Sequence, residues 1–185
     1  MASNRYVALL RGINVGGRNI ISMADLRGAF EAAGYGAVRT YIQSGNVLFE
    51  SDSPSGALED DLERVLERRF GMPLVGLVRS MAQLRAIVTK APDGFGTQPD
   101  TYHSDVIFLK APLTTVGAMG ALNPREGVDQ VWAGRGVLYF ARRSELRTQS
   151  RLSRITGTPQ YQQMTIRTWT TTTKLLDLLD EQPST

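Results

Sequence analysis

Apolar positions along this chain alternate between two rhythms. Tyr6–Leu10 is an unbroken apolar run of strand length and reads as a short buried strand. From about Ser22 the rhythm changes. Met23, Leu26, Ala29, Phe30 and Ala33 recur at three- and four-residue spacing and predict a helix with one apolar face, ended by Gly34. Ser22 and Asp25 form an approximate capping box at its start. Val38–Ile42 and Val47–Phe49 return to the strand pattern, joined by the turn Gln43-Ser44-Gly45-Asn46. After the polar loop Ser51–Gly56, a second helix over about Ala57–Phe70 turns Leu58, Leu62, Val65, Leu66 and Phe70 inward and its acids outward. Gly71 and Pro73 stop it, and Leu74–Val78 is a fourth strand. The order is β-α-β-β-α-β, the split βαβ or ferredoxin-like order.

The same order returns further on. Ser80 caps a helix from Met81 to about Lys90, and Ala91–Pro99 is a connector. Asp105–Leu109 reads as a strand, Thr115–Leu122 as a short helix, and Asp129–Trp132 and Val137–Phe140 as strands around Ala133-Gly134-Arg135-Gly136. A helix over Glu145–Ile155, a last short strand Met164–Arg167 and a helix from about Thr170 to Glu181 complete the pattern. The expected fold is therefore α+β, with two tandem ferredoxin-like (split βαβ) subdomains built on antiparallel sheets. Residues 1–79 form the first, 80–104 a linking helix and connector, and 105–185 the second with its C-terminal helix.

That topology has a consequence for the loops. With the third strand running down beside the first, the turn between strands two and three sits at the end where strand one finishes. Arg11–Arg18 and Gln43–Asn46 are thus expected at one end of the first sheet. The first loop offers Arg11, Asn14, Gly16, Gly17 and Arg18, and the second Gln43, Ser44 and Asn46. Glycine leaves the main chain accessible, and a strand–loop–helix passage can present N–H groups to an anion. The loop matches neither the dinucleotide-binding nor the P-loop pattern. The set lacks a base, a thiol or a carboxylate pair, so it suits phosphate or a polar ring better than acid–base chemistry. The alternative is that these turn residues satisfy their own backbones.

Composition narrows the chemistry. The chain has 185 residues, 42% hydrophobic and 21% charged, as in ordinary soluble proteins. It has no cysteine and a single histidine, His103, in a polar connector where it is expected to be exposed. Disulfides, thiol chemistry and a Ser-His-Asp triad find no support, no metal site is expected, and the residues name no cofactor. The N-terminus lacks a signal-peptide pattern and no apolar stretch is of membrane-spanning length, so a cytoplasmic protein without a membrane partner is expected. Net charge is +3, unevenly spread: Glu50–Glu67 is acidic, whereas Arg135–Lys174 is rich in arginine. On the expected helix, Arg143, Arg147, Arg151 and Arg154 fall in one narrow arc that could track a phosphate backbone or be a solvated face. Further on, threonines cap the last helix, Trp169 is expected to bury its ring beneath it, and Arg167 to point elsewhere, towards a ligand.

The stretches Ala8-Leu-Leu-Arg-Gly-Ile-Asn-Val-Gly-Gly-Arg18 and Thr40-Tyr-Ile-Gln-Ser-Gly-Asn-Val47, with the end of the chain, resemble the DUF1697 family, bacterial proteins grouped as a domain of unknown function. The resemblance implies two ferredoxin-like subdomains and no established activity. Where the family tends to show Ser-Lys-Leu and then Arg-Asn-Trp-Asn-Thr, this chain has Ser150-Arg151-Leu152 and Arg167-Thr168-Trp169-Thr170-Thr171, which keeps Arg151, Arg167 and Trp169 and loses both asparagines. The leading functional expectation is a protein that binds a phosphate-bearing ligand, a nucleotide or a short nucleic acid, through Arg11, Arg18 and the glycine amides, with Arg151 or Arg167 reaching the same ligand. The alternatives are an enzyme acting on a phosphorylated small molecule and an interaction module whose basic face meets an acidic protein. No catalytic residue and no oligomeric state follow from the sequence.

Overall fold

The structure, a computed structural model, describes residues 4–181. It is mixed α+β, with two four-stranded antiparallel sheets. The chain forms two compact units: one comprises the chain up to Arg85 together with Leu175 onward, the other Ala86–Lys174. One division falls inside α3 (Met81–Thr89), within the linking segment 80–104 read from the sequence, and the other inside α5 (Trp169–Asp180), which that reading placed whole in the second subdomain.

The first unit contains β1 (Asn4–Arg11), α1 (Met23–Ala32), β2 (Gly36–Tyr41), β3 (Asn46–Ser51), α2 (Ser55–Phe70) and β4 (Val75–Ser80). Its sheet order is β2-β3-β1-β4, so β1 and β3 are central, as the sequence order requires. Alternate residues of the strands point to opposite faces. Tyr6, Ala8, Leu10, Val47, Phe49 and Val78 pack against Leu26 and Phe30 of α1 and Leu58, Leu62 and Leu66 of α2. Each Val, Leu and Phe among them contributes about 1.5–3 kcal/mol on burial. Val7, Leu9, Leu48 and Leu77 on the other face are buried as well. The guanidinium groups of Arg5 and Arg39 donate to the carbonyls of Leu179 and Leu178, capping the end of α5 with positive charge.

Two acids of α2 do not point outward as expected. Glu59 Oε1 accepts from Val78 N (2.9 Å) and Arg79 Nη1 (3.1 Å), and Glu63 Oε1 accepts from Gly76 N (2.9 Å). β4 is an edge strand, and these carboxylates occupy N–H groups that an edge otherwise leaves open. Burial lowers the pKa of Arg79, and Glu59 pulls the other way.

The second unit carries β5 (Tyr102–Leu109), α4 (Thr115–Leu122), β6 (Asp129–Gly134), β7 (Val137–Arg143) and β8 (Met164–Thr168), in the sheet order β6-β7-β5-β8. Ile107, Leu109, Leu138, Phe140 and Met164 form its core with Ala118 and Leu122 of α4 and with Leu152 and Ile155. The helix expected over Glu145–Ile155 does not form. The chain instead makes three short 3-10 segments, Ser144–Gln149, Leu152–Gly157 and Pro159–Gln163. Asp129 Oδ2 accepts from Arg151 N and from Arg125 N, each at 2.9 Å, which ties Arg151 N–H to the sheet between the first two segments. Arg143, Arg147, Arg151 and Arg154 therefore share no helical face, and the arginine stripe does not exist.

Candidate functional site

The glycine-rich loop after β1 does not lead its N–H groups into the start of α1. Ser22 Oγ caps that helix by accepting from Asp25 N at 3.0 Å. Between β1 and α1 the chain makes a miniature hairpin. Asn14 N donates to Asn19 O (3.1 Å) and Arg18 N to Val15 O (3.1 Å), around a turn at Gly16-Gly17. Both glycines have positive φ (58° and 73°), the backbone of a type I′ turn, which explains the Gly-Gly pair. Ile13 and Ile21 are buried on either side and anchor the hairpin in the core.

The second loop closes against the first. Leu10 N donates to Gly45 O at 2.8 Å, and Asn14 Nδ2 donates to Gln43 O at 3.0 Å. A Cβ on Gly45 would lie 2.8 Å from Ile13 Cδ1 and 2.9 Å from Leu10 Cβ, and φ there is +79°. Only glycine allows this approach. The structure thus brings Arg11–Arg18 and Gln43–Asn46 together at one end of the first sheet.

Two of the expected ligand donors are used inside the protein. Asn14 Nδ2 also donates to Ile21 O (2.9 Å), while its Oδ1 accepts from Ile21 N (2.8 Å). Asn46 is fully buried and donates to Tyr41 O (3.0 Å) and Ser44 Oγ (2.9 Å). These amides satisfy their own loops. Gly16, Gly17, Arg18 and the Gln43 side chain remain at the surface, and Arg11, at the end of β1, is half-buried. Val15, Ile20 and Ile42 stand exposed beside them.

The C-terminal arginines have separate roles within the second unit. Arg167 is buried on β8, donating to Thr165 Oγ1 (3.0 Å) and Ile166 O (2.9 Å), and burial lowers its pKa to about 10. It is not a surface contact for a ligand. Arg151 is half-buried, with Nη1 donating to Asn123 Oδ1 at 3.2 Å. Thr168 caps α5 through Thr171 N (3.2 Å), and the half-buried Trp169 ring meets Phe95 edge-on. His103 lies in β5, not in a connector, with Nε2 3.3 Å from Asp105 Oδ1. Arg142 Nη2 is 3.5 Å from the other carboxylate oxygen. Burial pushes the Asp105 carboxyl up, against the pull of His103 and Arg142. The spacing of His103 and Asp105, two apart on a strand and hence on one face, was the sequence signal for this group.

The pattern of the family described as Protein of unknown function (DUF1697) matches residues 3–139. The chain belongs to the DUF1697 family. Both loops of the candidate site fall inside the matched DUF1697 region. The solved structure of the conserved bacterial protein SP0830 from Streptococcus pneumoniae is similar to this DUF1697 chain, with 25% identity and a TM-score of 0.84 over 96% of this chain and 99% of that one. An unknown protein from Galdieria sulphuraria matches with 16% identity and a TM-score of 0.28, over 90% of this chain and 98% of that one, too low to bear on the fold. No curated protein matches. No helix among the described residues is long and apolar enough to cross a membrane.

Proposed function

We propose that the first unit binds a phosphate-bearing ligand, a nucleotide or a short stretch of nucleic acid, at the end of the sheet where the two loops meet. The observation that carries this reading is the Asn14 amide. It ties Ile21, the hairpin and Gln43 into one piece, so Arg18 and the Gly16-Gly17 peptides are presented on a preformed platform. A guanidinium held on a rigid base matches phosphate oxygens in pairs and loses less freedom on binding. Such a charge-assisted contact is worth about 1.5–3 kcal/mol. Arg18→Ala is therefore expected to weaken binding about tenfold or more, with Arg11→Ala as the second variant. The measurement is titration of wild type and both variants with a nucleotide and oligonucleotide panel at two salt concentrations. Oligonucleotide affinity falling steeply with salt supports nucleic acid. A wild type that binds nothing in the panel ends the reading.

A second reading is favoured by one specific feature. Val15 (66% exposed) and Ile20 (75%) sit on the loop of Arg18, and Ile42 (48%) on the loop that closes against it. Apolar groups around a cation suit an acidic protein surface as an interaction module would need. Binding of an acidic peptide that is lost in Ile20→Ser, with no binding of the nucleotide and oligonucleotide panel, would favour it over phosphate.

For the fold, we infer that each unit is a ferredoxin-like split βαβ arrangement, in tandem. The matching orders β2-β3-β1-β4 and β6-β7-β5-β8 support it, with the 3-10 segments standing in the second unit where the first has α2.

A further inference from the structure

We propose that the second unit carries a pocket for a single nucleobase, taken as the free nucleoside. The connector between α3 and β5 crosses the sheet face opposite α4. Phe95 pins it there, its ring edge-on to Trp132 (5.9 Å), Tyr139 (5.4 Å) and Trp169 (5.1 Å). Gly96, with φ +73°, passes so close to Trp169 that a Cβ would lie 2.0 Å from its ring. The connector is thus fixed by aromatic packing, and it leaves a cavity of about 190 Å³ against the strands.

The floor of that cavity is a cross-strand row in which Gln130 pairs with Ala141 and Ala141 with Ser104. The small Ala141 at the centre makes the room. Trp132 offers an indole at one side, and the amides of Gln98 and Gln130 stand at the exposed mouth. Ser104 is nine-tenths buried on the floor, and its Oγ has no hydrogen-bond partner among the described residues. A buried hydroxyl without a partner is costly unless a ligand supplies one.

The chemistry of the lining selects the occupant. Amides and a hydroxyl each donate and accept, as the edge of a base requires, while indole stacks on any base face. The volume is below the about 300–1,000 Å³ of pockets for drug-sized ligands, so it holds one ring system. Among the described residues the only charged side chain lining it is Asp93, a carboxylate, which disfavours phosphate here. The site goes beyond the phosphate reading and does not depend on it.

The test uses the isotope-labelled full chain, with assigned indole N–H signals of Trp132 and Trp169, titrated with uridine, cytidine, adenosine and guanosine. At least one nucleoside is expected to shift Trp132 saturably at millimolar concentration. Ala141→Leu fills the floor and abolishes the shift, and Ser104→Ala weakens binding roughly three- to tenfold. No shift of Trp132 with any nucleoside overturns the proposal, as does unchanged binding in both variants. If Ala141→Leu does not fold, Ser104→Ala decides: unchanged affinity overturns the proposal. These probes carry no phosphate, so their failure leaves the proposal for the first unit to its own panel.

Discussion

Asn46 and Arg18 lie on neighbouring loops and do opposite kinds of work. Asn46 is fully buried, and its Nδ2 holds Tyr41 O and Ser44 Oγ. Removing a buried donor leaves its acceptors unsatisfied, at about 1–3 kcal/mol each way. Asn46→Ala is therefore expected to lower stability by about 2 kcal/mol in urea denaturation, while Arg18→Ala changes it by no more than about 0.5 kcal/mol. Both residues were legible in the sequence as loop polar groups, Arg18 after Gly16-Gly17 and Asn46 after Gly45. Their division of labour was not. An amide can donate outward to a ligand or inward to a carbonyl, and only the backbone decides. At Asn14 the backbone has φ +55°, a left-handed conformation that asparagine tolerates, and this turns its side chain back on Ile21.

At the scale of the element, the segment from Ser144 to Gln163 shows what periodicity can and cannot carry. The strands around it were legible from apolar runs and their turns. The helix expected at Glu145–Ile155 completed the repeated element order, with Leu152 and Ile155 expected on the sheet beside a stripe of arginines. The apolar residues there, Leu146, Leu152 and Ile155, do not recur at helical spacing through the segment, and Thr148, Ser150 and Ser153 are indifferent helix formers. A long-range partner then decides the path: Asp129 Oδ2 takes Arg151 N–H from any continuous helix. Asp129→Ala is expected to cost about 1.5–3 kcal/mol, because two backbone N–H groups lose a carboxylate acceptor. Asp129→Asn keeps an acceptor and should recover part of that loss. Equilibrium denaturation of both variants checks the order.

The whole molecule is divided differently from the way its sequence reads. Apolar patterning located α5, with Leu175, Leu176 and Leu179 buried, but a pattern along one helix does not say which sheet it completes. The contacts assign residues from Leu175 onward to the first unit, and Arg5 and Arg39 hold their carbonyls. Leu179→Ala should therefore destabilise the first unit by about 2–5 kcal/mol. Hydrogen exchange would report this as faster exchange in β1 and β3. Unchanged exchange there would show that α5 contributes nothing to the first sheet.

That assignment has a meaning for synthesis. All four strands of the first sheet leave the ribosome before any residue of 86–174, yet Leu175 and Leu179 are translated after every one of them. Domains tend to fold in order of emergence. Here residues grouped with the first sheet are translated after the whole second unit. A premature stop or a proteolytic nick after Arg85 that frees the last helix leaves the first sheet short of three buried leucines, although no residue of its strands has changed. The stability of the N-terminal sheet is thus tied to the synthesis of α5.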